Sequence, residues 1–89
     1  MAEVVIPEFE EGLKKVIISY WYINEGEHTE EGENLLEVTA GSKVFNVVSP
    51  ATGIVTRMFF DEGDAVEIGE KVALIEEEDM DLDIDVEEE

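Results

Sequence analysis

The sequence predicts an all-β protein, built as a sandwich or a barrel. Its apolar segments are short, rich in Val and Ile, and separated by turns that contain Gly, and closely spaced short strands of this kind are typical of those folds. No window repeats apolar residues at the i, i+3, i+4, i+7 spacing of an amphipathic helix. The same series of turns and apolar positions also occurs twice along the chain.

Six strands and two shorter extended pieces are predicted from the apolar runs. The strands are 4–6, 16–23, 34–39, 43–48, 53–60 and 71–76, and the extended pieces lie near 28–29 and 65–66. Both prolines agree with this assignment, because Pro7 follows the first strand and Pro50 lies between two later ones. Proline cannot donate a backbone hydrogen bond, so it is expected at strand ends and edges.

An internal repeat relates residues 21–38 to residues 58–75 at a constant offset of 37. Each copy reads as an apolar strand, an acidic turn with Gly, a short bend, a second Gly turn and a strand. Two copies predict a pseudo-twofold arrangement of interlocked halves, since a solenoid needs about three repeats. The glycines are expected to supply turns with positive φ. The matching positions are Glu25/Glu62, Gly26/Gly63, Glu30/Glu67, Gly32/Gly69 and Glu33/Glu70.

Length and charge limit the domain count and the classes of partner. The 89 residues suggest one small domain, predicted over residues 1–77. Ten of the 25 acidic residues lie in the last fourteen positions, so residues 78–89 are predicted to be a disordered acidic tail or linker. A net charge of −20 argues against nucleic acid or an anionic membrane as partner, and favours proteins with basic surfaces.

The residue types needed for independent catalysis are scarce. The chain has no Cys, and its one histidine, His28, stands among glutamates. Its carboxylates lie on turns without an evident cleft, so neither acid–base catalysis nor a metal site is expected. The missing cysteines fit a reducing compartment, and the first residues have neither the basic nor the apolar region of a secretion signal. A non-catalytic, cytoplasmic protein is the expectation.

Four stretches resemble the lipoyl/biotinyl carrier domain family, of the single hammerhead type. "VIPEFEEGL" (5–13) is similar to that family's V-P-x-L-G-E-G-I opening, with Glu10 in place of a glycine. Trp21 and the residues that follow it resemble W-x-V-x-x-G-D-x-V-x-x-G-D-x-L-x-E-V, and 49–55 and 61–76 resemble the family's second half. The resemblance covers residues 4–77 and implies a flattened barrel of two four-stranded sheets.

The resemblance also implies a function. Family members carry lipoate, or biotin, on one lysine at the tip of the central hairpin, and the resulting swinging arm moves acyl groups, related groups or electrons between enzymes. The implied partners are a lipoate ligase or lipoyl transferase, and subunits of a 2-oxo acid dehydrogenase-like complex. Biotin is less favoured, because Ser42 and Val44 stand where methionines flank the family's biotinyl lysine.

The candidate lysine is displaced by one residue. Counting from Trp21 or back from Pro50, the family lysine falls on Ser42, and Lys43 comes one residue later. Either residues 41–43 form a three-residue turn with Lys43 at its tip, or Gly41–Ser42 is the turn and Lys43 begins the next strand. A one-residue shift in a strand reverses the side on which a side chain projects.

Two functions remain open on this evidence. In the first, Lys43 is the lipoyl attachment site, with Gly41 and Ser42 beside it. Glu8, Glu10 and Glu11 then lie in the loop that, in the family, helps partner enzymes to recognise the domain. In the second, the site has been lost and the domain is a protein-binding or scaffold module.

Overall fold

A computed structural model describes residues 1–78, which form eight β-strands. These are β1 (Ala2–Val5), β2 (Lys15–Trp21), β3 (His28–Thr29), β4 (Asn34–Ala40), β5 (Lys43–Val48), β6 (Gly53–Met58), β7 (Ala65–Glu67) and β8 (Lys71–Glu77). Every predicted strand occurs, although those predicted over 16–23 and 53–60 end at Trp21 and Met58. Over residues 1–78 there is no helix of the length and apolar character that crossing a membrane requires.

The strands form two four-stranded antiparallel sheets, as predicted. Sheet one has the order β1-β8-β6-β3, and sheet two has the order β5-β4-β2-β7. Each sheet therefore takes two strands from the first half of the chain and two from the second. The predicted flattened barrel of interlocked halves is confirmed.

The core lies between the two sheets and is almost entirely aliphatic. Trp21 is 8% exposed, and its indole Nε1 donates a hydrogen bond to the Phe60 carbonyl oxygen at 3.1 Å. Because the outward-facing side of each sheet meets solvent, the inward-facing residues carry most of the hydrophobic stabilisation. Those buried by the strands are Val4, Val16, Ile18, Leu35, Leu36, Val38, Val47, Val55, Val66, Val72, Ala73 and Ile75.

The 37-residue repeat is reproduced in the backbone hydrogen bonds. Gly26 N–H donates to the Val55 carbonyl oxygen at 2.7 Å, and its counterpart Gly63 N–H donates to the Ile18 carbonyl oxygen at 2.7 Å. Both glycines have positive φ, 93° and 95°, a backbone conformation that Gly adopts without the strain a β-carbon would cause. The turn role predicted for these glycines is confirmed.

The acidic residues in these turns bind backbone groups of the other half. The Glu62 carboxylate accepts a hydrogen bond from Trp21 N–H at 3.0 Å, and the Glu25 carboxylate accepts one from Met58 N–H at 2.8 Å. The two bonds are related by the same offset of 37. The sequence predicts these acids on turns and indicates no structural role for them, whereas in the structure they link the turn of one half to the strand end of the other.

Near the start of each half, the residues that correspond to one another are 43 positions apart instead of 37. Ile6 exchanges backbone hydrogen bonds with Gly69 and Glu70, just as Ser49 does with Gly32 and Glu33. Ile6-Pro7 therefore corresponds to Ser49-Pro50. The change from an offset of 43 to one of 37 means that the first half has six extra residues before β2. These residues belong to the loop 8–14, named here the insert loop.

The second half makes the same connection with only a few residues, and Gly53 occupies a tight position there. A β-carbon on Gly53 would overlap the Glu76 carbonyl oxygen. Because no side chain fits there, Gly53 allows β6 to pass close to β8. The position that corresponds to Gly53 at the offset of 37 is Val16, which is buried in the core.

Glu78, the first residue of the predicted tail, makes contacts with the domain. Its backbone N–H donates to the Thr52 carbonyl oxygen at 3.0 Å, and its carboxylate lies 2.8 Å from His28 Nε2. The rest of the predicted acidic tail, 79–89, lies outside the described residues, and its assignment stays a prediction.

Candidate functional site

The central hairpin joins β4 to β5 through a two-residue turn. Ala40 pairs with Lys43, so only Gly41 and Ser42 lie between the strands. Gly41 has a φ of 63°, and no residue other than glycine has positive φ within the described chain. Positive φ at the first central position alone fits a type II′ turn, in which Gly is favoured and the twist matches that of the strands.

Lys43 is consequently the first residue of β5 and does not lie at the tip of the hairpin. Of the two arrangements left open by the sequence, the three-residue turn does not occur. The exposed Ser42 occupies the turn, at the position where the family pattern has its lysine. The physical reason is local, because glycine followed by serine already satisfies a two-residue turn.

The direction of the Lys43 side chain follows from strand alternation. Lys43, Phe45 and Val47 lie on one side of β5, and Val47 is part of the core at 3% exposed. Val44 and Val48 lie on the other side, which faces solvent. Lys43 therefore belongs to the side of β5 that faces the barrel interior. It remains exposed because it stands at the end of the strand.

The insert loop packs on the hairpin at this point. Lys43 Nζ donates to both carboxylate oxygens of Glu10, each at 2.9 Å. One step further along, the rings of Phe9 and Phe45 stack with centroids 4.4 Å apart and an interplanar angle of 12°. The loop and the hairpin thus make two contacts, one ionic and one aromatic.

The ion pair leaves the Lys43 amine accessible. The side chains of Lys43 and Glu10 are 58% and 42% exposed, and ion pairs in such positions contribute only about 0–1 kcal/mol. A competing reactant can therefore displace Glu10 at little cost. The aromatic stack adds about 0.5–1.5 kcal/mol beyond its buried area and keeps the loop beside the amine.

The remaining predicted site residues lie in the same region without joining this contact. Glu8 lines a surface groove with Leu13 and Lys14, and Glu11 is exposed in the insert loop. The structure therefore brings Glu10 to Lys43 and leaves Glu8 and Glu11 at the periphery.

Sequence reasoning missed the two contacts between the insert loop and the hairpin. A signal for the ionic one was present. Glu10 replaces a glycine of the family pattern, and Lys43 is displaced from its lysine position. The two residues that depart from the family pattern have opposite charges, and their side chains are in contact in the structure.

Comparison with known proteins places the chain in a family. The model of the Biotin_lipoyl family, described as "Biotin-requiring enzyme", matches residues 2–75. The chain belongs to the Biotin_lipoyl family.

Curated proteins similar to the chain include two that are 31% identical over 77 residues, with the match covering 86% of this chain and 18% of each relative. One is the dihydrolipoyllysine-residue succinyltransferase component of the 2-oxoglutarate dehydrogenase complex of Bacillus subtilis. The other is the dihydrolipoyllysine-residue acetyltransferase component of the pyruvate dehydrogenase complex of Staphylococcus epidermidis. The chain thus spans about a fifth of the length of these relatives.

Among solved structures, the chain is similar to the lipoyl domain of the 2-oxoglutarate dehydrogenase complex from Azotobacter vinelandii. The TM-score is 0.68 and the identity 25%, and the match covers 85% of this chain and 98% of that domain. The chain therefore matches nearly the whole length of that lipoyl domain, whereas it matches only a small part of the length of the curated relatives. Within the Biotin_lipoyl family, the chain is a lipoyl-type carrier domain, a non-catalytic unit.

Proposed function

We propose that Lys43 carries a covalently attached lipoyl group and that the domain works as a swinging-arm carrier. The observation that supports this most directly is the exposed amine of Lys43 beside the turn of the central hairpin. A lysine that adjoins a rigid turn can present an arm to several enzymes in succession.

The amine is suited to acylation from an activated lipoyl donor. The ammonium would first lose a proton, and the neutral nitrogen would then attack the acyl carbon. An amide bond would form as the activating group leaves and the nitrogen loses a second proton. The amide is neutral, so Glu10 would lose its ionic partner on modification. The bound lipoyl group would supply a disulfide able to accept acyl groups and electrons.

The other lysines are less suitable as attachment sites. Lys15 lies in β2, where it pairs with Glu67, and Lys71 in β8 lies 3.7 Å from a Glu3 carboxylate oxygen. Lys14 belongs to the insert loop. Among the lysines, Lys43 alone adjoins the turn between β4 and β5.

The proposed partners are a lipoate ligase or lipoyl transferase, and the subunits of a 2-oxo acid dehydrogenase-like complex, in the cytoplasm. Support for such a complex comes from the 2-oxoglutarate and pyruvate dehydrogenase components among the relatives. The net charge of −20 favours partner subunits with basic docking surfaces.

The test is the intact mass of the chain after co-expression with a lipoate ligase and supplied lipoate. We expect the mass of one lipoyl group to be added to the wild type and to be absent from Lys43→Arg. The double variant Ser42→Lys with Lys43→Ser places the lysine at the family position and serves as the positive control. Modification of the double variant together with an unmodified wild type would contradict the proposal.

A second candidate function is an unmodified binding or scaffold module. It is favoured by one observation, that Lys43 lies in β5 and is held by Glu10 instead of standing at the tip. In that case the affinity for a partner would not change in Lys43→Ala but would fall with added salt. Biotin carriage, the less favoured alternative, would make the chain bind streptavidin after co-expression with a biotin ligase.

A further inference from the structure

The four edge strands of the two sheets differ in length and charge. Sheet one ends at β1 and β3, and sheet two ends at β5 and β7. β3 has two residues, β7 has three, and β1 has four with Glu3 among them. β5 has six residues, and those from Val44 to Val48 carry no charge. Proteins usually protect a long edge with charged residues or proline, because its free backbone groups can pair with another chain.

The backbone of β5 has unpaired groups on its outer edge. In a two-residue hairpin, Ala40 and Lys43 form a hydrogen-bonded pair, and bonded and non-bonded pairs then alternate along the ladder. The N–H and C=O groups of Val44 and Asn46 accordingly point away from β4. Over residues 1–78, no backbone hydrogen bond other than those to β4 involves residues 44–48.

An apolar groove of about 270 Å³ borders this edge. One wall consists of residues 3–5 and Pro7, and the other of residues 46–48 and Pro50. These walls are equivalent under the offset of 43, so the groove lies between the two related edge strands. Val5 and Val48 are 42% and 49% exposed, which leaves apolar surface available to a ligand.

Charge decides which kind of chain can pair with this edge. Two copies with a net charge of −20 each repel one another, so pairing of β5 with a second copy is disfavoured. Glu3 lines the groove and is 58% exposed, and Glu37 pairs with Asn46 across the ladder. A basic segment would find opposite charges on both sides of the edge.

We propose that β5 accepts an extended segment of a partner protein as a fifth strand of sheet two. In that segment, apolar residues alternate with lysine or arginine. The apolar side chains enter the groove between β1 and β5, and main-chain hydrogen bonds form with Val44 and Asn46, as in other cases of strand addition. Lys43 does not line the groove, so the proposal does not depend on whether Lys43 is modified.

The test uses the full chain and a capped nonapeptide of alternating lysine and valine, with hydrogen exchange followed residue by residue. We expect the peptide to slow exchange of the Val44 and Asn46 amides, whereas Phe45 already bonds to β4. A peptide of the same sequence with all backbone nitrogens methylated keeps its charge but loses its donors. Its affinity should be at least about tenfold lower, since several hydrogen bonds are removed.

Two variants locate the edge. Asn46→Pro removes an outward N–H without touching the β4 ladder, and Glu3→Pro changes the equivalent position of β1. We expect Asn46→Pro to lose peptide binding and Glu3→Pro to weaken it only as much as Glu3→Gln does, because both changes at position 3 remove the same charge. Circular dichroism checks that the variants fold. The methylated peptide, used with the wild-type chain, decides the matter if either variant fails to fold.

Three results would overturn the proposal. The first is equal affinity of the methylated peptide, which would reduce the interaction to charge attraction. The second is loss of binding in Glu3→Pro with retention in Asn46→Pro, which would assign the edge to β1. The third is sedimentation of the free chain as a dimer with Val44 and Asn46 already protected, which would make a second copy the occupant.

Discussion

The two halves of the domain share their sheets but differ in one connection. After Ile6-Pro7 the first half continues through the insert loop 8–14, whereas after Ser49-Pro50 the second half enters β6 almost at once. The insert loop carries Phe9 and Glu10 to the hairpin. The features common to both halves build the barrel, and the additional residues of one half build the candidate site.

The largest effect is expected where the short connection enters β6. Gly53→Ala would place a β-carbon in steric overlap with the Glu76 carbonyl oxygen, so β6 and β8 would have to move apart. We expect a loss of about 3 kcal/mol in the free energy of unfolding, at the upper end for an overpacked site, measured by urea denaturation.

Gly32→Ala is the matched control for this substitution. Gly32 has open space around its missing β-carbon but a φ of 92°, so strain alone should cost about 1–2 kcal/mol. Equal losses in the two variants would mean that Gly53 does not serve the close approach of β6 to β8.

An intermediate effect is expected from the shared acidic turns. Glu25→Ala and Glu62→Ala each remove one carboxylate that accepts a backbone N–H of the other half. We expect the two losses of unfolding free energy to be alike, at about 1 kcal/mol each. A loss for one variant more than twice that for the other, measured by the same denaturation, would show that the halves are not energetically equivalent.

The smallest effect on stability is expected from a substitution in the insert loop, which only the first half has. Glu10→Gln removes the charge that pairs with Lys43, and we expect the free energy of unfolding to fall by less than about 1 kcal/mol. The rate of lipoylation should rise, because the amine is no longer held by a carboxylate.

The rate is measured by mass spectrometry over time, and Glu11→Gln serves as the control of equal charge change in the same loop. A slower rate in Glu10→Gln than in Glu11→Gln would mean that Glu10 assists the modification and does not compete with it.

Most of the fold could be predicted because its signals are local and occur twice. Short Val- and Ile-rich runs give the strands, and the glycines at constant offset give the turns. The structural role of Glu25 and Glu62 could not be predicted. A glutamate on a turn looks the same in the sequence whether its carboxylate binds water or a backbone N–H of a distant strand.

The sequence indicates Lys43 as the candidate residue, but it does not predict the contact between Lys43 and Glu10. It indicates Lys43 by its place near the hairpin but leaves open whether it lies in the turn or in β5, and the pairing of Ala40 with Lys43 decides this. The contact with Glu10 joins residues 33 apart in the chain, and it depends on the path of a loop whose sequence has no periodic pattern. Long-range contacts of this kind are set by the packing of whole elements, here through Phe9 and Phe45.

The interleaving of the halves also affects the order in which the chain can fold. Within the described residues, β1 pairs only with β8. Ala2 therefore cannot pair until its partner Ile75 has been synthesised. During synthesis, β1 has no neighbour until β8 has left the ribosome. Folds dominated by such distant pairings form in about milliseconds to seconds. β1 is therefore made before the other strands of the domain and is among the last to be protected.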